Sequence, residues 1–418
     1  MSSLKRPFSP TSSRVQSFRR RRLLRLVSIL SAATITLLFL SSSSPLRNDD
    51  YDDYANDYDT TPSIGRVFIA ANLWKAEHVL ESYWIPALVS LIMLLGKDNV
   101  FVSITASPGK DNTLSILSTF DKQLNEMGIA RKIVLGWQTH EQFVKNKPQD
   151  GDVGWVTTRK GNRRWRRIPY LVNVRNEALE PLMDPAVVNG THSFDKILFI
   201  NDIYFTAHQA LELLHTRGGR YAAACGLDFY HDPTWIFYDS MVMRDSQGRR
   251  VVSSEYPYFG PGKSRDALLR GDPVPVQSCW NGMAAFDARP FLPPNSLRFR
   301  SIEDSLATNY VEASECCLIH VDNPETARQG VWVNPRVRVA YKEYAYNAVQ
   351  EWPTLREEVK GLFIRAWSSF FSLPWPKAKV EKAYEKWTAE NATRHEPGKF
   401  CLWDEMQVLS KNGWTLLL

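Results

Sequence analysis

At 418 residues, 44% hydrophobic and 12% aromatic, the chain has enough apolar side chain to bury one large domain or two small ones. Its net charge of +6 does not describe a basic domain: eight basic residues and no acid fall within residues 1–25, leaving the remainder at −2. A nucleic-acid-binding domain would itself carry a basic face, so that class loses its main support.

The basic N-terminus ends in Arg19–Arg22, and Leu23 to Leu40 follows as an apolar segment broken by Arg25 and a few hydroxyl residues. Its uninterrupted part, Leu26 to Leu40, is 15 residues, short for a membrane span of about 20. The long basic stretch favours an uncleaved signal anchor over a cleaved signal peptide, and the apolar block argues against a mitochondrial presequence. The positive-inside rule then keeps residues 1–22 cytosolic, makes 23–40 the span and sends the rest into the lumen. Residues 41–64 read as a solvated stem, with six aspartates between Asp49 and Asp59. Sequons at Asn189-Gly-Thr191 and Asn391-Ala-Thr393 agree with a lumenal body. The expected localisation is the Golgi or another secretory-pathway membrane, with the catalytic domain at 65–418.

Arg66–Ala71 reads as a first strand, Glu81–Leu95 as a helix with an apolar face, Asn99–Thr105 as a second strand and Ser107-Pro-Gly109 as a turn. A helix over Thr113–Met127 and a strand over Ala130–Leu135 complete a β-α-β-α-β alternation, which predicts a parallel, doubly wound sheet. Residues 137–167 break the pattern with a basic run, Arg159, Lys160, Arg163, Arg164, Arg166 and Arg167, around Trp165. It reads either as a solvated loop or as a loop that meets phosphate or an acidic acceptor. A helix follows over Ile168–Met183, then strands at Lys196–Ile200 and Tyr221–Cys225. From Tyr341 onward the chain is Trp- and Lys-rich and reads as mostly helical.

The five cysteines include no CxxC pair, which argues against a zinc site. In a lumenal domain one or two bridges can form, and spacing alone does not choose between bridges and buried thiols.

Open α/β sheets place ligands at the carboxyl ends of their strands. Asn201-Asp202 stands at such an end. A carboxylate there, holding Mg²⁺ or Mn²⁺, would neutralise a departing diphosphate, so Asp202 is the metal candidate; the competing reading is a turn or cap. Asp228 closes another strand and is a second acid for the same cleft. Asp239 with Arg244 and Asp245 is either ligand-facing or a structural ion pair. Cys279-Trp-Asn-Gly282 offers Trp280 and Asn281 for stacking and hydrogen bonding. Glu315 is an acid suited to an acceptor hydroxyl, and His320 reads as structural. No Walker loop, GxGxxG or GxSxG occurs.

Seven segments in order resemble the fungal α-1,3-mannosyltransferase family that includes the cryptococcal mannosyltransferase and the capsule-associated proteins. They are Phe68-Ile-Ala-Ala-Asn-Leu73, Ser107-Pro-Gly-Lys-Asp-Asn-Thr113, Arg167-Ile-Pro-Tyr-Leu-Val-Asn-Val-Arg-Asn176, Ile200-Asn-Asp-Ile-Tyr204, Phe237-Tyr-Asp239 with Arg244-Asp245, Cys279-Trp-Asn-Gly282 and Ser314-Glu-Cys316. The resemblance implies a GT-A-like, Rossmann-type α/β fold behind the transmembrane segment, a GDP-mannose donor, a glycan acceptor and transfer with retention. Its product would be an α-1,3-mannosyl linkage on a cell-surface or capsular polysaccharide or glycoprotein. It implies Asp202 as the metal-side acid and Asp239 and Glu315 as the catalytic pair. Asn72, Arg175, Asn176, Asn201, Arg244, Asp245, Trp280 and Asn281 would hold the donor. Pro108 replaces a common Gly, Met241 replaces a Trp, and Asn201-Asp202 is not a full Asp-x-Asp. The rival is a non-catalytic lumenal sugar-binding or scaffold protein of polysaccharide assembly, from which the acidic set at 202, 239, 245 and 315 separates an enzyme.

Overall fold

The computed structural model describes residues 64–417 except 137–138, 146–148, 150, 189–192, 231–235, 351–358, 360 and 362–374. The basic tail, the 23–40 span, the stem to residue 63 and the Asn189 sequon lie outside the described residues.

The elements run β1 (Val67–Leu73), α1 (Glu77–Leu95, with a π-helical turn at Leu80–Trp84), β2 (Val100–Ala106), α2 (Thr113–Glu126), β3 (Arg131–Leu135) and α3 (His140–Lys145). A small hairpin, β4 (Trp155–Thr157) and β5 (Arg163–Trp165), leads into α4 (Arg167–Leu179). Then come β6 (Lys196–Ile200), α5 (Ala207–Leu214), β7 (Ala223–Phe229), β8 (Arg244–Asp245), α6 (Lys263–Arg270), β9 (Val274–Ser278) and β10 (Met283–Asp287). The chain continues through β11 (Glu312–Ala313), α7 (Glu315–Asp322), β12 (Val331–Ala340), α8 (Glu343–Val349), α9 (Trp375–Glu390), β13 (Leu402–Trp403) and the hairpin β14 (Gln407–Ser410) and β15 (Gly413–Leu416).

Nine strands form one sheet in the order β3-β2-β1-β6-β10-β7-β12-β9-β8. β3, β2, β1 and β6 are parallel, as the alternation of elements predicts. The expectation of a wholly parallel sheet is corrected beyond β6. β10 is antiparallel to both β6 and β7, and β9 is antiparallel to β12, so the sheet is mixed. The reason lies in burial: β10 is buried at every residue, and an uninterrupted apolar strand carries no periodicity that reveals its direction. Because β10 reverses between two strands of like sense, the carboxyl ends of β1, β2, β6, β7 and β12 still meet one edge, together with the amino end of β10.

Both faces of the sheet are covered, and side-chain alternation sorts residues between two cores. Val67, Ile69, Ala71, Val102, Ile104, Leu198 and Ile200 join Leu88, Leu91 and Ile92 of α1 in one cluster. Phe68, Ala70, Phe101, Ile197 and Phe199 join Ala178 and Leu179 of α4 in the other. α1 is long and apolar enough to cross a membrane by composition, yet its inward face is part of this core.

Two further expectations change. The basic run is a hairpin, not a uniform solvated loop. Arg163 and Arg164 are exposed, but Arg166 is fully buried, its Nη1 donating to both Glu312 carboxylate oxygens at 2.8 and 2.9 Å and its Nη2 to Asp304 at 2.5 Å. The C-terminal part is not only helical, since β13 pairs with β11 and β14 pairs with β15. The cysteines resolve into two bridges, Cys225–Cys279 and Cys317–Cys401, with Cys316 a buried thiol.

Candidate active site

β6 delivers Asn201-Asp202 to the carboxyl edge of the sheet. The Asn201 amide N–H donates to the Gly282 carbonyl at 2.9 Å, and the Tyr204 N–H donates to the Ala340 carbonyl at 2.7 Å, so the exit of β6 is tied to β10 and β12. The turn before β10 is left-handed at Asn281 (φ 56°) and at Gly282 (φ 76°). A Cβ on Gly282 would stand 2.9 Å from Val339 Cγ2, so the turn needs glycine for space as well as for its backbone.

Asn201 is an organiser of this edge. Its Nδ2 donates to the Tyr341 hydroxyl at 3.0 Å, its Oδ1 accepts from Trp280 Nε1 at 3.2 Å and its carbonyl accepts from Trp84 Nε1 at 2.9 Å. Asp228, fully buried at the end of β7, accepts from Asn281 Nδ2 at 3.0 Å, from the Asp239 backbone N–H at 3.1 Å and from the Tyr341 hydroxyl at 3.4 Å. Burial, then the neighbouring Asp239 charge, raises the Asp228 carboxyl above the ordinary range. Burial also raises Asp239, with Arg167 and Arg175 opposing and Glu315 reinforcing the shift.

Arg175 lies 4.1 Å over the Trp280 ring, and its Nε donates to Glu315 Oε1 at 2.9 Å. Glu315 is itself buried at the start of α7, where Ser314 caps the helix by accepting from the Cys316 N–H at 3.2 Å. Arg167, at the start of α4, feels the charges of Glu315 and Asp239 and is only half-buried. Tyr230 and Tyr238 stack at 4.8 Å, and Tyr238 meets Tyr341 at 5.1 Å, forming a partly exposed aromatic shelf beside the acids. Along the same edge, Lys75, Glu77, His78, Lys110 and Asp111 line an open cavity of about 490 Å³ beyond β1 and β2. Asp111 Oδ1 there is a buried acceptor with no partner.

The predicted residues divide by whether their polar atoms are already engaged. Asp202 is half-buried, and apart from its own backbone N–H its carboxylate has no hydrogen-bond partner among the described residues. Burial pushes it up to about 6, with Lys342 opposing. An unengaged hard-oxygen donor at the strand edge fits a divalent cation such as Mg²⁺ or Mn²⁺. Asp239 and Arg175 also face this cleft. Asn72 donates to the Val174 carbonyl at 2.8 Å and keeps a buried, unpartnered Oδ1.

Five residues expected to hold the donor have side chains engaged within the protein. Arg244 is fully buried, and its guanidinium donates to the Phe400, Met241, Met243 and Cys401 carbonyls. Asp245 accepts from the Gln247 and Arg249 N–H groups and pairs with Arg249 Nε at 2.7 Å, closing a turn. Asn176 exchanges two hydrogen bonds with the Phe299 backbone, each 2.9 Å. Trp280 is 2% exposed and lies beneath Arg175, so its ring supports a cation instead of stacking on a ligand. Asn281 likewise acts on Asp228. These side chains build the cleft from behind.

Arg167, expected only as part of a basic run that could meet phosphate, lies beside these acids, as do Tyr238 and Tyr341, while Lys342 acts on Asp202; the last three are not among the residues expected to bind or react. Tyr341-Lys342 carries the same signal that exposed Asn201-Asp202: polar residues just after a buried strand. Arg167 was hidden among its basic neighbours. Cys225, Cys279 and His320 also converge, but the two sulfurs are bonded to each other and the His320 ring bonds the Cys279 carbonyl at 2.7 Å, so this group is structural.

The family model for cryptococcal mannosyltransferase 1 matches residues 66–322. Alpha-1,3-mannosyltransferase CMT1 of Cryptococcus neoformans var. neoformans serotype D is 26% identical over 291 residues, covering 66% of this chain and 58% of that protein. The match thus spans a little over half of that relative's length. Among solved structures, mannosyltransferase PcManGT from Pyrobaculum calidifontis, in complex with GDP-Man and Mn²⁺, aligns over 80% of this chain and 77% of its own at 12% identity and a TM-score of 0.35. GalNAc-T7 with UDP, GalNAc and Mn²⁺ aligns over 77% of this chain and 55% of its own at 10% identity and a TM-score of 0.36.

Proposed function

The chain belongs to the cryptococcal mannosyltransferase 1 family, and from that membership we propose that it is a glycosyltransferase of GT-A type moving mannose from GDP-mannose to a glycan hydroxyl. The proposed product is an α-1,3-linked mannoside formed with retention. The observation that carries the reading is the unengaged Asp202 carboxylate at the sheet edge that also bears the acidic and aromatic cleft and the open cavity at β1 and β2.

In this reading the nucleoside end of the donor occupies the cavity around Glu77 and Asp111, where Asp111 Oδ1 awaits a donor. Asp202 would hold Mn²⁺ or Mg²⁺, which when bound supplies positive charge against the departing diphosphate. Asp239 offers negative charge to the cationic anomeric carbon, and the tyrosine shelf supports the sugar face. Glu315, expected near the acceptor, is paired with Arg175. The bond from the anomeric carbon to the diphosphate oxygen breaks while the acceptor oxygen bonds to the same face. That geometry puts the leaving oxygen beside the incoming hydroxyl, so it receives the proton and no side-chain nucleophile is needed.

Two disulfides support a lumenal body in an oxidising compartment, consistent with residues 23–40 as a type II anchor in a secretory membrane. The exposed Asn391 sequon accords with it.

The test uses the full chain in detergent with a panel of nucleotide sugars, with and without Mn²⁺, scored for nucleotide release and binding. GDP-mannose should be used selectively, and Asp202→Ala should lose roughly 100-fold or more of the metal-dependent rate. A variant as fast as wild type would remove Asp202 from the metal site. A folded protein that binds no nucleotide sugar would favour the non-catalytic sugar-binding role.

A further inference from the structure

Two arginines of α4, Arg167 and Arg175, approach the same pair of acids, but their situations differ. Arg175 is paired with Glu315 at 2.9 Å. Arg167 makes no ion pair with any described carboxylate, although Glu315 and Asp239 act on it through space. Its Nη1 donates to Gln407 Oε1 at 2.6 Å, its plane lies 4.1 Å over the Trp414 ring, and its buried Nε has no partner. Burial lowers its pKa, which marks a cation short of compensation. The groups that hold Arg167, Gln407 on β14 and Trp414 on β15, stand far beyond residue 322, where the family match ends.

Arg167 Nη2 makes no hydrogen bond among the described residues, so a guanidinium held in place by Gln407 and Trp414 keeps a donor that can take an anion from outside. The fork of N–H groups matches phosphate oxygens. We propose that Arg167 is the positive group that meets the leaving diphosphate, and that the C-terminal hairpin β14–β15 is the part of the molecule that aims it. This deepens the glycosyltransferase reading and rests on it. Gln407 and Trp414 are positioning residues: one fixes the rotation of the guanidinium by a hydrogen bond, the other fixes its plane by packing.

The test compares binding of GDP and of guanosine to the full chain, together with kcat and KM for GDP-mannose. Arg167→Ala should weaken GDP by roughly 10- to 100-fold with guanosine binding unchanged, and should lower kcat by about 100-fold or more. Arg167→Lys should recover part of the GDP affinity, because it restores charge without the planar fork. Gln407→Leu and Trp414→Leu should move the GDP-to-guanosine ratio in the same direction by a smaller factor, in protein with an unchanged melting profile. A purely structural hairpin would alter both ligands equally. If wild type binds GDP and turns over while Arg167→Ala matches it in both, this inference is overturned and the function stands. If wild type binds no nucleotide, the function falls and the inference with it. Should Arg167→Ala fail to fold, unchanged GDP affinity in Arg167→Lys and Gln407→Leu overturns the proposal.

Discussion

Asp228 shows how burial works on one side chain. It sits at the end of a fully buried strand, with three donors around its two oxygens, and its carboxyl is raised from 3.8 to about 7. A raised carboxyl makes the folded protein the tighter proton binder. The stability it contributes is therefore complete below pH 3.8 and is lost as pH climbs through 7. Asp228→Asn is neutral throughout that window. In chelator-treated protein its melting temperature should match wild type near pH 4 and exceed it by a few degrees near pH 8. A constant difference at both pH values would place the effect in the hydrogen bonds and not in the charge. At this scale the amino-acid order shows where a polar side chain leaves a strand and not what that side chain bonds. Asp202 and Asp228 were legible because a polar residue after a buried strand has few places to point. Arg244, Asp245 and Asn176 were not, because their partners are mostly backbone groups, and a backbone carbonyl leaves no mark in the amino-acid order.

Among the elements, the β4–β5 hairpin shows how one buried ion cluster can anchor a polar excursion. Arg166, 1% exposed by its side chain, joins Glu312 (7%) and Asp304 (31%), and the Asp304 carboxylate also accepts from the Gly154 N–H at 2.8 Å. Replacing the cation leaves Glu312 buried without a counter-charge. Arg166→Met should therefore cost about 3–5 kcal/mol in urea unfolding. A loss under about 1 kcal/mol would mean that Trp155 and Trp165, with ring centres 4.6 Å apart, anchor the hairpin instead. Strands β1 to β3, β6 and helices α1, α2 and α4 were readable from their periods and turns. β10 and β12 were not. β10 has no alternation, and β12 breaks register between Val333 and Arg338 around Pro335, which disguises a ten-residue strand.

For the molecule as a whole, the α/β class followed from the order of elements, while closure of the site depends on contacts remote in sequence. Cys317–Cys401 spans 84 residues and fastens the segment leading into β13 to α7. Its removal by Cys401→Ser should cost about 2–5 kcal/mol, seen as a lower melting temperature in non-reducing buffer. An unchanged temperature would show that the β11–β13 pairing alone retains the segment. The cysteine count left this pairing open, and adjacent Cys316 and Cys317 could not be ranked by spacing. Their adjacency also bears on how the chain matures. During synthesis Cys225, Cys279, Cys316 and Cys317 all leave the ribosome before Cys401 does. Until then Cys317 has no correct partner, and Cys316 is one residue away as a competing thiol. In the oxidising lumen proposed for this domain, any bridge made by Cys316 in place of Cys317 would have to be exchanged before the native pair could close, which would tie the yield of mature protein to disulfide isomerisation.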